Sequence, residues 1–215
     1  MVAFCFSFSS GKDSVLALDQ LIQAGHQPLG LVTSLNASIE RSWFHGVPPS
    51  VLQSMATSLN LPLTLVETSA TNYQSAMIDA LQTYQQRGAT HCGFGDIDLL
   101  QNRQWDTTVA KAAQLQPLLP LWQADRAANV THFRDRGYQA IIKTVSKAAA
   151  IPTTFLGQPL DQTFIDYLVA HHLDVCGENG EYHTLVIDGP LFKQPVSYQT
   201  AGIFESDYAY SLIIN

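Results

Sequence analysis

Apolar and aromatic side chains dominate Val2 to Phe8 and stop at Ser9-Ser10-Gly11, a run of strand length closed by a turn. From Ser14 to Ala24 the apolar positions Val15, Leu18, Leu21 and Ile22 recur at helical spacing, and Gly25 supplies the stop. The same strand, loop and helix then recur. Pro28 to Thr33 predicts a second strand, Pro48-Pro49 opens a helix to about Leu59, Leu63 to Glu67 is a third strand, and Tyr73 to Arg87 a helix closed by Gly88. Ala89 to Phe94 predicts a fourth strand, Leu99 to Leu115 a helix, and Leu118 to Leu121 a short fifth strand. Such alternation predicts an α/β fold, a Rossmann-like parallel sheet with helices on both faces, spanning residues 1–123.

Beyond Trp122 the pattern changes. A helix is expected at Ala127 to Arg136, a strand at Tyr138 to Thr144 and a helix at Gln162 to His172, followed by strands punctuated by Gly177, Gly180 and Gly189-Pro190. Tyr198 to Ile214 keeps enough apolar alternation to close the chain with a strand or two. Residues 124–215 therefore read as a smaller C-terminal α+β lobe, and no internal repeat or low-complexity segment interrupts either part.

Composition narrows the classes. With 215 residues and a hydrophobic fraction of 46%, the chain can bury a core and is not intrinsically disordered. Eleven Lys and Arg against 18 Asp and Glu give a net charge of −7, and without a basic run non-specific duplex binding is not expected. Cys5, Cys92 and Cys176 are odd in number and widely spaced, which supports neither a disulfide framework nor a cysteine zinc knot; a reduced, cytoplasmic protein is expected. No apolar stretch approaches the ~20 residues needed to cross a bilayer, and no basic leader precedes Val2, so neither membrane nor secretion is expected.

The first loop carries the chemistry. In Ser9-Ser10-Gly11-Lys12-Asp13-Ser14, backbone N–H groups and a helix N-terminus converge where an anion can sit, Lys12 adds charge and the serines add donors. Phe6 stands where a Walker A loop needs its first glycine, and no Gly-x-Gly-x-x-Gly is present, so both of those nucleotide motifs are excluded. Taken alone, the six residues are equally a serine-capped turn. The run resembles the Ser-Gly-Gly-x-Asp-Ser loop of the N-type ATP pyrophosphatases, with Ser10 in place of the first glycine, where its Cβ restricts φ.

Two further segments narrow the resemblance to the diphthine-ammonia ligase family of the PP-loop superfamily. One is Gly93-Phe94-Gly95-Asp96-Ile97 with Arg103 and Pro120-Leu121-Trp122; the other is Cys176-Gly177-Glu178-Asn179-Gly180-Glu181-Tyr182-His183-Thr184 with Asp188-Gly189-Pro190-Leu191-Phe192. Arg41-Ser42-Trp43-Phe44-His45-Gly46-Val47-Pro48 is similar to the family's loop after the second strand, so the resemblance runs in order along nearly the whole chain. It implies an adenine nucleotide alpha hydrolase-like fold, ATP and Mg²⁺ as cofactors, and adenylation of a substrate carboxylate with release of pyrophosphate. Ammonia would then displace AMP. The implied substrate is diphthine, a modified histidine on elongation factor 2, and the product diphthamide.

On this resemblance Ser9, Ser10, Gly11, Lys12, Asp13, Ser14 and Gly95 bind ATP. Asp96 follows a strand whose carboxyl end borders the ligand crevice of an open α/β sheet, and Asp13 opens a helix. Each reads as a Mg²⁺ contact or as a helix-end carboxylate, and the resemblance favours the metal. Strand alternation sends Glu181 and His183 to one side, where with Glu178 they concentrate groups able to take a proton from an attacking amine. A zinc site lacks further ligands at the required spacing, and a solvent-facing hairpin is the bland alternative. Lys12, Asp13, Asp96, Glu178, Glu181 and His183 are thus the expected catalytic set. Arg41, His45, Arg103, Glu178, Glu181, His183 and Thr184 are the expected substrate-binding set. Two other functions fit the loop: a pyrophosphatase acting in tRNA or other sulfur or amine modification, against which the scattered cysteines and acidic charge count, and a nucleotide-binding module without turnover.

Overall fold

The computed structural model describes residues 1–215. β1 (Ala3–Ser7) alternates as a buried strand should: Phe4 and Phe6, with Phe8 just beyond, enter a large core, while Cys5 enters a smaller one. α1 (Lys12–Gln23) and α2 (Pro49–Ser58) pack in the large core, and α3 (Tyr73–Gln86) and α4 (Leu100–Ala112) in the small one. Helices therefore cover both faces, as expected.

β2 (Gln27–Asn36), β4 (Leu63–Thr68), β5 (His91–Gly93) and β6 (Gln116–Leu118) complete a parallel sheet with strand order β4-β2-β1-β5-β6, and the two-residue β3 (Arg41–Ser42) pairs antiparallel with the end of β2. The chain steps outward from β1 to β2 and β4, then returns to lay β5 on the other side of β1. That reversal splays the loops after β1 and β5 apart and leaves a crevice at their carboxyl ends.

The remaining elements are α5 (Arg126–Asp135), β7 (Gln139–Ser146), α6 (Gln162–Ala170), β8 (Tyr182–Asp188), β9 (Thr200–Glu205) and β10 (Ala209–Ile214). Their strands form an antiparallel sheet ordered β8-β7-β10-β9. Ile142, Leu185 and Val186 of this sheet share the large core with Phe4 and Phe6, so one hydrophobic core spans both sheets. Two ion clusters reinforce the junction. Arg136 donates to buried Asp19 of α1 at 2.9 and 3.1 Å, and Arg126 joins Asp98 at 2.7 Å to Asp174 at 2.6 Å.

The fifth strand lies at Gln116–Leu118 rather than at Leu118 to Leu121. Its register pairs His91 with Gln116 and Gly93 with Leu118, so pairing ends where the short β5 ends. Leu121, fully buried, fills the core from a turn instead. α1 begins two residues earlier than its apolar spacing indicates, at Lys12, which makes the anion-facing loop part of the helix N-terminus.

Candidate active site

The crevice opens into a cavity of about 450 Å³ walled by the loops after β1, β3 and β5, by β2 residues Val32 to Ser34, by Tyr73 and α4, and by the turn before β8. Gly11 is the N-cap of α1 and has no side chain to satisfy the first helical N–H groups, so the positive helix end meets the cavity wall. Ser10 takes the left-handed conformation at φ +73°, the one a glycine would adopt freely. Its carbonyl accepts from Val186 N at 3.0 Å, so the C-terminal sheet holds the bend. Gly95 presses on α1 from the other side: a Cβ there would stand 3.0 Å from Ser14 N and Cα. Ser9, Gly11, Lys12, Asp13, Ser14 and Gly95 all line the cavity, whereas Ser10 is wholly buried behind it.

Lys12 does more than carry charge for an anion. Its Nζ bonds Asp13 Oδ2 at 2.7 Å and the carbonyl of Cys176, and lies 5.2 Å from the Tyr182 ring centre, while its backbone N donates to Thr184 Oγ1 at 3.0 Å. Burial opposes the charge, but Asp13, Tyr182 and Cys176 together outweigh it and hold the ammonium well above the ordinary lysine range. Lys12 is therefore a permanent cation that ties the first loop to the C-terminal turn.

That turn divides its acids between two tasks. Glu178 lines the cavity, and its carboxylate, the Asp13 carboxylate and the Cys176 sulfur lie within 4.8 Å of one another. Burial and the nearby Asp13 push the Glu178 carboxyl up to about 7. Burial raises the Cys176 thiol well above its usual range, so it stays protonated beside Asp13. Asp13 supplies a hard oxygen donor that suits Mg²⁺; a protonated thiol does not, and Glu178, pushed towards neutrality, is left for proton exchange. Glu181, by contrast, is absent from the cavity wall. It accepts from Asp174 N at 3.3 Å and from Asn179 N and Nδ2 at 3.1 Å, which closes the turn and takes it away from the expected catalytic group.

His45 and His183 meet with ring centres 5.0 Å apart, and both line the cavity. His45 Nδ1 lies 2.8 Å from the Thr184 carbonyl, which can only accept, so Nδ1 carries the proton and Nε2 a lone pair. Burial, then the neighbouring His183, lowers His45 to about 3; burial, then Lys12, lowers His183 to about 4. Both rings are neutral at pH 7.

Asp96 also lines the cavity, accepting from Asn102 Nδ2 at 2.8 Å. Beside it is Asp106, whose carboxyl burial and the Asp96 charge push up to about 9, making it a neutral acid at pH 7. Trp43, Tyr73 and Trp105 complete this end, with Tyr73 centred 5.8 Å from Trp43 and 5.6 Å from Trp105. Sequence reasoning missed this face, although Asn102, Trp105 and Asp106 stand at helical spacing on α4. Two expected substrate residues lie elsewhere. Arg103 is exposed with its guanidinium 4.9 Å from the Trp122 ring centre, and Arg41 donates to Gly46 O at 3.3 Å, Ile214 O at 2.8 Å and Asn215 Oδ1 at 3.2 Å. Thr184 does line the cavity.

The turn and β7–β8 lie within the part of the chain that matches a family model. Residues 126–211 match the family model of the diphthamide synthase C-terminal domain. Diphthine-ammonia ligase of Danio rerio is 27% identical over 230 residues, covering 94% of this chain and 89% of that protein. The chain is similar to the diphthine-ammonia ligases over most of its length. The Bos taurus and Homo sapiens ligases are each 27% identical, covering 87% of this chain and 79% of theirs. A solved structure described as a predicted subunit of tRNA methyltransferase from Methanocaldococcus jannaschii aligns with 14% identity and a TM-score of 0.49, over 88% of this chain and 98% of that one. No helix is long and apolar enough to cross a membrane.

Proposed function

We propose that the chain is an ATP-dependent carbon-nitrogen ligase that adenylates a substrate carboxylate and passes the acyl group to ammonia. The observation that carries this reading is the single cavity in which the N-terminus of α1 faces the acidic and histidine-bearing turn before β8. By relation to the diphthine-ammonia ligases, the carboxylate is that of diphthine on elongation factor 2.

In this reading the Ser9 to Ser14 loop holds the β- and γ-phosphates through N–H groups and hydroxyls, with Lys12 behind them. The aromatic end formed by Trp43, Tyr73 and Trp105 takes the adenine ring. Asp13 and Asp96 would hold Mg²⁺, which supplies charge neutralisation for the phosphates. A substrate carboxylate oxygen attacks the α-phosphorus, the α–β bond breaks, and pyrophosphate leaves. Ammonia nitrogen then attacks the acyl carbon, the bond to AMP breaks, and Glu178 accepts the proton that nitrogen releases. Its carboxyl, held near neutrality, suits that exchange. The neutral His45 and His183 bound the acceptor side without protonating ammonia. All three cysteines are buried, which favours a ligase over a sulfur-carrying pyrophosphatase.

The test is the position of the broken bond. With diphthine-bearing elongation factor 2 and ammonia, [α-³²P]ATP should yield labelled AMP and [γ-³²P]ATP labelled pyrophosphate. Labelled orthophosphate with ADP as first products would overturn the mechanism.

A further inference from the structure

Arg126 opens α5 and does not itself line the cavity, but every bond it makes reaches a segment that does. Its Nε and Nη2 donate to the two oxygens of Asp98 at 2.7 Å, and Nη1 donates to Asp174 Oδ2 at 2.6 Å and Asn179 Oδ1 at 3.2 Å. Asp98 lies two residues beyond Asp96 in the loop after β5, and Asn179 follows Glu178 in the turn before β8. One guanidinium therefore joins the segment that carries Asp96 to the segment that carries Glu178, and both acids line the same cavity.

The two segments are not equally firm. Ile97, between Asp96 and Asp98, is buried in the core and its carbonyl accepts from Gln123 N at 2.7 Å, so the loop after β5 is anchored on its own. The turn is buried only at its ends, by Cys176 and Tyr182. Between them Gly177-Glu178-Asn179-Gly180 has no apolar side chain, and both glycines take positive φ, +76° and +86°. Polar bonds must set its shape. Asp174 Oδ1 accepts from Cys176 N at 2.9 Å, while Oδ2 accepts from Glu178 N at 3.1 Å and from Arg126. The oxygen that holds the Glu178 backbone is thus the one that Arg126 holds, and the guanidinium fork is what lets one side chain grip Asp98 with two nitrogens and still reach Asp174 with the third.

We propose that Arg126 is a positioning residue that sets the Glu178 turn against the Asp96 loop, so that an acyl adenylate formed in the cavity meets ammonia and Glu178 before it meets water. The reaction in this statement rests on the ligase reading above; the placing of the turn by Arg126 does not. With the turn displaced, water takes the place of ammonia: its oxygen bonds to the acyl carbon, the bond to AMP breaks, a proton passes to solvent, and the free carboxylate is regenerated. Such a leak yields AMP without amide. The AMP formed per amide therefore reports where the turn stands, whereas a loss of folded protein lowers both products alike.

The test measures AMP and amide from diphthine-bearing elongation factor 2 and ammonia, beside amide hydrogen exchange at Cys176 and Glu178. Arg126→Gln should keep ATP affinity within about twofold, slow amide formation about tenfold and raise AMP per amide at least about threefold. Arg126→Lys, which keeps the charge without the fork, should fall between it and wild type. Asp98→Ala, which frees Arg126 from the Asp96 loop but leaves Asp174 in place, should leak as well. Added to Glu178→Gln, Arg126→Gln should slow amide formation by less than about a further twofold. Exchange at the Cys176 and Glu178 amides should quicken in Arg126→Gln while that of β1 matches wild type. AMP and amide lost in equal proportion, unchanged exchange at the turn, or a full tenfold loss on top of Glu178→Gln overturns the proposal. An Asp98→Ala variant that does not leak overturns it too, since Arg126 would then brace the turn alone. If wild type makes neither AMP nor amide, yet exchange at the turn depends on Arg126, the ligase reading fails and the positioning of the turn stands.

Discussion

His45 lies flat across Gly11: a Cβ added to that glycine would stand 2.5 Å from His45 Cε1 and 3.2 Å from Nε2. The loop after β3 thus fits onto the N-cap of the nucleotide-facing helix, and the same ring is pinned by Thr184 of the C-terminal sheet. Gly11→Ala should therefore cost ~1–3 kcal/mol as an overpacked contact, although its φ of −82° suits alanine. Urea unfolding of Gly11→Ala, His45→Ala and the double variant should show the double less destabilised than the two single costs together. Strictly additive costs would separate the two residues.

Lys12→Met should lose stability as well as ATP affinity. It leaves the Asp13 carboxylate and the Cys176 carbonyl without their shared donor. The cost should be about 2–4 kcal/mol, below that of a fully buried pair because Asp13 keeps 22% of its side chain exposed. Lys12→Met with Asp13→Asn should regain much of the stability without regaining affinity for ATP. Thermal melts and calorimetry on the same samples check both halves.

Ser10→Gly should change stability by no more than about 1 kcal/mol. Relief of the left-handed strain at φ +73° is offset by the greater freedom of glycine in the unfolded chain. Ser10→Val, which puts a branched side chain into the same fully buried bend, should be markedly destabilised. Denaturant midpoints of the two variants decide this.

Acid should destabilise the protein through the histidine pair. His45 and His183 are held at about 3 and about 4, below the 6.5 of an exposed imidazole, so the unfolded chain binds protons that the folded chain refuses. The stability they contribute is intact above pH 6.5 and is lost as pH falls towards 4, with a slope of up to ~1.4 kcal/mol per pH unit for each ring. His183→Gln should flatten that slope relative to wild type in urea titrations between pH 4 and 7, with little change at pH 8.

Periodicity along the chain was enough for the order of strands and helices, because the choice between a two-residue and a 3.6-residue repeat is made locally. Phe4, Phe6 and Phe8 already marked β1 as two-faced, and the apolar spacing after Ser14 marked α1. The loop at Ser9 to Ser14 was legible for the same reason: a strand end, small residues and a helix start are neighbours in sequence. The roles within the site depended on contacts that cross the chain. Glu178 and Glu181 look alike in the sequence, and only the closure of their turn onto Asp174 and Asn179 separates the acid in the cavity from the one that braces it. Lys12 reads as a phosphate ligand until Cys176, 164 residues away, is folded against it. Lys143 reads as one position in a β-strand, and the bulge it occupies exists only once β7 and β8 are in register. Burial, pairing and register are properties of residues distant in sequence brought together, and no local pattern records them.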